Sequence, residues 1–153
     1  MSAPSESSAQ ATGARIVPDR RFTPGAINPD VTQANIDSTI CVPGFTKSIR
    51  PPARYTSRLK REQLDGPARG YDDREMRDYE EDHDVPLEVG GNPTDPRNQW
   101  PGPLHGPWNA HTKDKLENLM HALVCSHQIT LAEAQAAFLG DWIAAHGKYV
   151  VQK

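Results

Sequence analysis

The run Glu81-Asp82-His83 sets a carboxylate directly before an imidazole, and Pro86 and Gly90-Gly91 follow it. A neutral imidazole titrates near working pH and can take a proton from water. A neighbouring carboxylate is a natural ligand for a cation, whose second ligand must come from elsewhere in the chain. Asn98 and His111 come next in order, flanked by Arg97 and Lys113. Taken singly, each has a plainer explanation. An Asp-His pair in an acidic run is ordinary solvated surface, Gly-Gly is a turn, Asn98 is a turn or cap residue, and His111 is an exposed side chain. Chemistry requires that they be held together.

The elements that must hold them are legible in outline. Between Tyr79 and Trp100, Pro86, Gly90-Gly91, Pro93 and Pro96 break any helix, so two short strands joined by a glycine-rich loop are expected. Leu116, Leu119, Met120, Leu123 and Val124 form one apolar stripe, predicting a helix from near Asn109 to near Ser126. His111 lies off that stripe and is not a core histidine. Thr130-Leu-Ala-Glu133 is a capping box. It opens a second helix with Leu131, Ala134, Phe138, Trp142 and Ala145 facing inward. Upstream, a helix is predicted from Thr56 through Leu64, ended by Asp65-Gly66-Pro67, while Pro43-Gly44 and Pro51-Pro52 exclude a continuous helix over 41–56. The segment from Asn28 to Ile36 is expected to hold a short helical turn, capped by Asn28 or Asp30. Residues 1–30, rich in Ser, Ala, Pro, Gly and Arg without an apolar period, read as a disordered tail, leaving 31–150 as a single domain.

Composition narrows the classes. The chain has 153 residues, 36% hydrophobic and 24% charged, with 14 prolines and 11 glycines, which gives one loop-rich domain with a lean core. No apolar stretch approaches the roughly 18 residues of a membrane span. The first residues carry neither a basic nor an apolar leader region. The expected location is therefore cytoplasmic as the sequence stands, or secreted if a leader was removed. A net charge of -3 lacks the basic footprint of a nucleic-acid binder, but the average hides two blocks. Lys47, Arg50, Arg54, Arg58, Lys60 and Arg61 form a basic arm, and Asp72 to Asp84 an acidic centre. Arg54 and Arg58 either contact phosphates or pair with that acidic block. Cys41 and Cys125 are either one disulfide closing a long loop or two reduced thiols. His121 and Cys125 could share a metal, though incidental spacing is the simpler account. Trp100, Phe138 and Trp142 are expected in the core.

In order and context, Asp82-His83, Pro86, Gly90-Gly91, Asn98 and a histidine opening the next helix resemble the HNH (ββα-metal) nuclease superfamily. The segment Asp82-His-x-x-Pro-Leu-x-x-Gly-Gly91 with Asp95-Pro-Arg-Asn98 and a terminal helical hairpin is similar to a bacterial branch of it, over roughly residues 28–150. The resemblance implies an α+β fold: a ββα-metal hairpin-helix core with an added C-terminal helix and a loop-rich N-terminal part. It implies a divalent-metal-dependent endonuclease cutting DNA with little sequence preference. His83 would activate water, Asp82 and His111 would bind one divalent ion (Mg²⁺, Mn²⁺, Ni²⁺ or Zn²⁺), and Asn98 would brace the loop and orient the His83 ring. Arg97 and Lys113 would touch substrate phosphate, with Arg54 and Arg58 behind them. The partner would be nucleic acid, DNA first, with no membrane and no protein partner indicated. The alternative is an inactive binding or structural module of the same fold, held by a metal or a disulfide.

The chain departs from the HNH pattern in ways that sharpen these expectations. It has no Cys-x-x-Cys pairs, and a proline-rich detour lengthens the path from Asn98 to His111. Asp84, directly after the candidate base, is expected to raise the His83 pKa. In a regular strand Asp82 and His83 point to opposite faces, so a bulge or strand end is required there.

Overall fold

A computed structural model describes residues 15–151. Its architecture is α+β, with helices packed around one two-stranded antiparallel sheet. Strands β1 (Tyr79–His83) and β2 (Gln99–Pro103) pair from Tyr79 opposite Pro103 to His83 opposite Gln99. The glycine-rich loop between them follows the punctuation of the sequence. Gly90 has φ +86°, a conformation costly for a side chain, and a Cβ on Gly91 would collide with the Val85 carbonyl.

Helix α1 (Phe45–Ile49) is stopped by Pro51-Pro52, and α2 (Ala53–Asp65) follows at once, three residues earlier than Thr56 suggested. A 3₁₀ turn at Gln33–Ser38 has Thr32 as its cap residue, whereas Asn28 instead accepts a bond from the Asp30 N–H at 2.9 Å. Helix α3 (Ala110–Cys125) starts where Asn109 accepts from the Thr112 N–H. The Thr130/Glu133 box is formed and opens α4 (Leu131–Leu139). The second C-terminal helix does not run on to Ala145 as expected. It stops at Gly140, and Asp141 caps a new short helix, α5 (Trp142–His146), by accepting from the Ile143 and Ala144 N–H groups. The cap competes with helix continuation and turns the chain so that Trp142 still reaches the core.

That core joins Val85 and Val89 of the loop, Leu116, Met120 and Val124 of α3, and Leu131, Phe138 and Trp142 behind them. Trp100 is buried as expected, at 2% exposure. Cys41 and Cys125 are disulfide-bonded, which resolves the two alternatives and ties the segment before α1 to the end of α3.

The disordered tail expected over residues 1–30 falls in part outside the described residues; its described portion, from residue 15, is packed. Trp142 donates its indole N–H to the Ile16 carbonyl at 2.9 Å, and Arg20 donates to the carbonyls of Phe138 and Gly140. Residues 25–28 run alongside the inter-strand loop, with the Gly25 N–H on the Arg97 carbonyl and the Asn28 N–H on the Gly90 carbonyl. Low hydrophobicity hid this because the segment is held mainly through backbone groups. Among the described residues, no helix is long and apolar enough to cross a membrane.

Candidate functional site

His83 ends β1, and the Asp84 N–H donates to the Asn98 carbonyl immediately beyond it. The required strand end is therefore present, and Asp82 and His83 line the same cleft of about 730 Å³ between β1, α1 and α3. His83 is 7% exposed, and its Nε2 lies 2.9 Å from the Pro93 carbonyl oxygen. A carbonyl can only accept, so Nε2 carries the proton and the neutral ring keeps its lone pair on Nδ1. Burial holds the His83 pKa below the usual histidine value, with the Pro93 bond and Asp82 opposing. The expectation that Asp84 would raise it is overturned. Asp84 is fully buried and turned to Arg20, 3.3 Å away, and burial pushes its own pKa up to about 8.

Asn98 braces the loop as expected. Its Oδ1 accepts from the Ala26 and Val85 N–H groups, and its amide donates to the Val85 and Asn92 carbonyls. It does not touch the His83 ring. It acts one residue away, by fixing Asn92 beside the Pro93 carbonyl that holds Nε2.

The structure places three other candidates differently. Lys113, expected at a substrate phosphate, is 2% exposed and held by Asp82 Oδ2 at 2.8 Å, Glu117 Oε2 at 2.7 Å and the His83 carbonyl at 2.9 Å. Burial opposes its charge, but the two carboxylates more than offset that and raise its pKa. His111 does not line the cleft; its side chain is 77% exposed, with Asp114 4.0 Å away. The first turn of α3 turns Asp114, not His111, to the cleft. Arg97 is paired with Asp95 at 2.8 Å and lies outside the cleft. Arg54 and Arg58 are exposed on α2, and the intervening Tyr55 hydroxyl donates to the Thr94 carbonyl, next to Pro93. His121 places Nε2 2.8 Å from the Ile40 carbonyl and Nδ1 3.8 Å from Glu88, while Cys125 is held in the disulfide, so these two do not form a metal pair.

Glu80, Asp114, Glu88 and Glu117, which the sequence reading passed over, complete an acidic cleft relieved by Arg50. Burial first, then Asp82 and Asp114, push Glu80 up to about 7; burial and then Asp82 raise Asp114. Carboxylates that crowd one another's charge in this way form a donor set that a cation would relieve. Among the described residues no three His, Cys, Asp or Glu side chains enclose a metal by themselves. An all-oxygen set of few ligands suits a hard ion that retains water and takes substrate oxygens, such as Mg²⁺ or Mn²⁺, better than the imidazole-bearing site expected with His111.

The signal for Lys113 and Glu117 was present. Positions 113, 116, 117, 120 and 124 share one helical face, so a Lys/Glu pair four apart lies on the apolar stripe. Comparison with family models, with curated proteins and with solved structures yields no match.

Proposed function

We propose that this chain is an HNH-type, divalent-metal-dependent endonuclease that hydrolyses phosphodiester bonds of DNA with little sequence preference. The observation that carries the reading is the His83 ring. It is buried, held neutral, and tied through Nε2 to the Pro93 carbonyl, with Nδ1 left as a proton acceptor on a residue that lines the cleft. That is the state a general base needs. His83 takes a proton from water as the water attacks phosphorus in line. Asp82, through the oxygen that Lys113 leaves free, would hold the divalent ion with one further carboxylate of the cleft, Asp114, and water in the other positions. The bound ion supplies charge neutralisation at the phosphate and the departing oxygen. Arg50 on the cleft wall and Arg54 and Arg58 on α2 contact flanking phosphates without reading bases.

A second reading, an inactive module of the same shape, draws on one observation. The Lys113 ammonium already sits on Asp82 from behind the cleft, whose lining carboxylates outnumber Arg50. Supercoiled plasmid incubated with Mg²⁺ or Mn²⁺, with EDTA and Asp82→Ala as controls, separates the two. Nicking that EDTA and the substitution both abolish supports the endonuclease. No cleavage with any of Mg²⁺, Mn²⁺, Ni²⁺ or Zn²⁺ favours the module.

A further inference from the structure

We infer that Lys113 is a positioning residue of this site: from α3, its ammonium fixes at once the Asp82 side chain and the His83 backbone. The inference rests on reading Asp82 and His83 as the reacting pair. An ammonium has three N–H donors. Here it donates to the His83 carbonyl on β1 and to Glu117 Oε2 on α3, and it forms an ion pair with Asp82 Oδ2 on β1 at 2.8 Å. The side chain is 2% exposed, and its ammonium lies 5.1 Å from the centre of the Phe138 ring, so water cannot replace those contacts cheaply. Asp82 and Glu117 line the cleft while Lys113 does not, which puts the ammonium behind the two carboxylates, outside the reach of substrate.

The consequence is geometric. The strand pairing of β1 with β2 ends at His83, so the last strand residue has its ring tied on one side to Pro93 and its carbonyl tied on the other to Lys113. Without the ammonium, the end of β1 loses its anchor to α3, and the ring loses its fixed approach to Pro93. Misplacing a reacting group by about 1 Å costs on the order of 100-fold in rate.

The test uses the full chain with Lys113→Met, and Lys113→Met/Glu117→Gln as a second variant that removes the carboxylate charge the first leaves uncompensated. Folding is checked by circular dichroism, and the His83 ring nitrogens are read by ¹⁵N NMR without nucleic acid. The wild type is expected to show the single Nε2–H tautomer. Whichever variant folds is expected to show a mixture of tautomers and, with plasmid, a kcat lower by about 100-fold at a KM within about threefold of wild type. A folded variant that keeps the single Nε2–H tautomer overturns the inference, as does one with unchanged kcat in an active enzyme. If the wild type does not cut DNA, the nuclease reading fails alone, and the tautomer still decides the role of Lys113.

Discussion

The Pro93 carbonyl oxygen stands 2.9 Å from Nε2 of His83, and Asn98 fixes the residue just before it by donating to the Asn92 carbonyl at 2.9 Å. The inter-strand loop thereby sets the tautomer of a ring it does not precede in sequence. Burial adds the second condition by disfavouring imidazolium. A base of this kind is already neutral below the usual histidine titration. The log of kcat/KM is therefore expected to rise with pH along a limb centred below about 6.5, the ordinary histidine value, and then to level off. A pH–rate series on a short duplex checks this, and an acid limb centred above that value would remove His83 as the titrating base.

Removing the brace should be costly. Asn98 is fully buried, and its side chain satisfies four backbone groups around Ala26, Val85 and Asn92. Asn98→Ala leaves those groups without a partner and is expected to destabilise the fold by about 3 kcal/mol. Urea denaturation of the two proteins gives the number, and a loss below about 1 kcal/mol would mean the loop is held some other way.

Much of this was legible because it is written locally. Proline and glycine punctuation marked the two strands and their loop, Asn109 and Thr130 marked helix starts, and Asp82, His83 and Asn98 lie within the one hairpin that brings them together. What was not legible depended on partners distant in sequence. The place of Lys113 on the buried face of α3 can be read from its spacing, but its pairing with Asp82 and His83 cannot, because both lie some 30 residues away on another element. His111 and Asp114 differ only in which side of a helix start meets the cleft. The break at Gly140 needs the Asp141 cap to win over a continuous apolar stripe. The packing of residues 15–30 runs through Arg20, Trp142 and backbone groups, which no hydrophobic pattern records.

Glu81 lines the cleft with both carboxyl oxygens buried and without a hydrogen-bond partner, and burial, then Asp82, pushes its pKa up to about 9. The folded state therefore holds this proton where the unfolded chain, near 4.5, has released it. Its stabilising effect is full below pH 4.5 and falls as pH rises toward 9, with a slope of up to about 1.4 kcal/mol per pH unit. Glu81→Gln should flatten the fall in stability between pH 4.5 and about 9 in a stability–pH curve measured by denaturant melts. An unchanged curve would place that loss elsewhere.

The disulfide spans 84 residues and anchors Cys41, part of the cleft wall, to the end of α3. Reducing it is expected to lower stability by about 4 kcal/mol. Thermal melts with and without a phosphine reductant measure this, and coincident melts would show that packing alone holds the wall.

The proposed contact between the exposed arginines of α2 and phosphate predicts a uniform effect on DNA binding. Arg54→Ala with Arg58→Ala should weaken binding regardless of sequence and reduce the slope of log affinity against log salt by about 2. Fluorescence anisotropy across a salt series reads both, and an unchanged slope would take α2 out of the interface.

The proposed endonuclease requires His83 to activate water in this cleft. Plasmid nicking by wild type and His83→Ala, side by side with Mn²⁺ and after EDTA, tests it most directly. The expected result is cleavage by the wild type, its loss in EDTA, and a rate lower by about 100-fold or more in His83→Ala at unchanged fold. A folded His83→Ala that cuts as fast as wild type would contradict it.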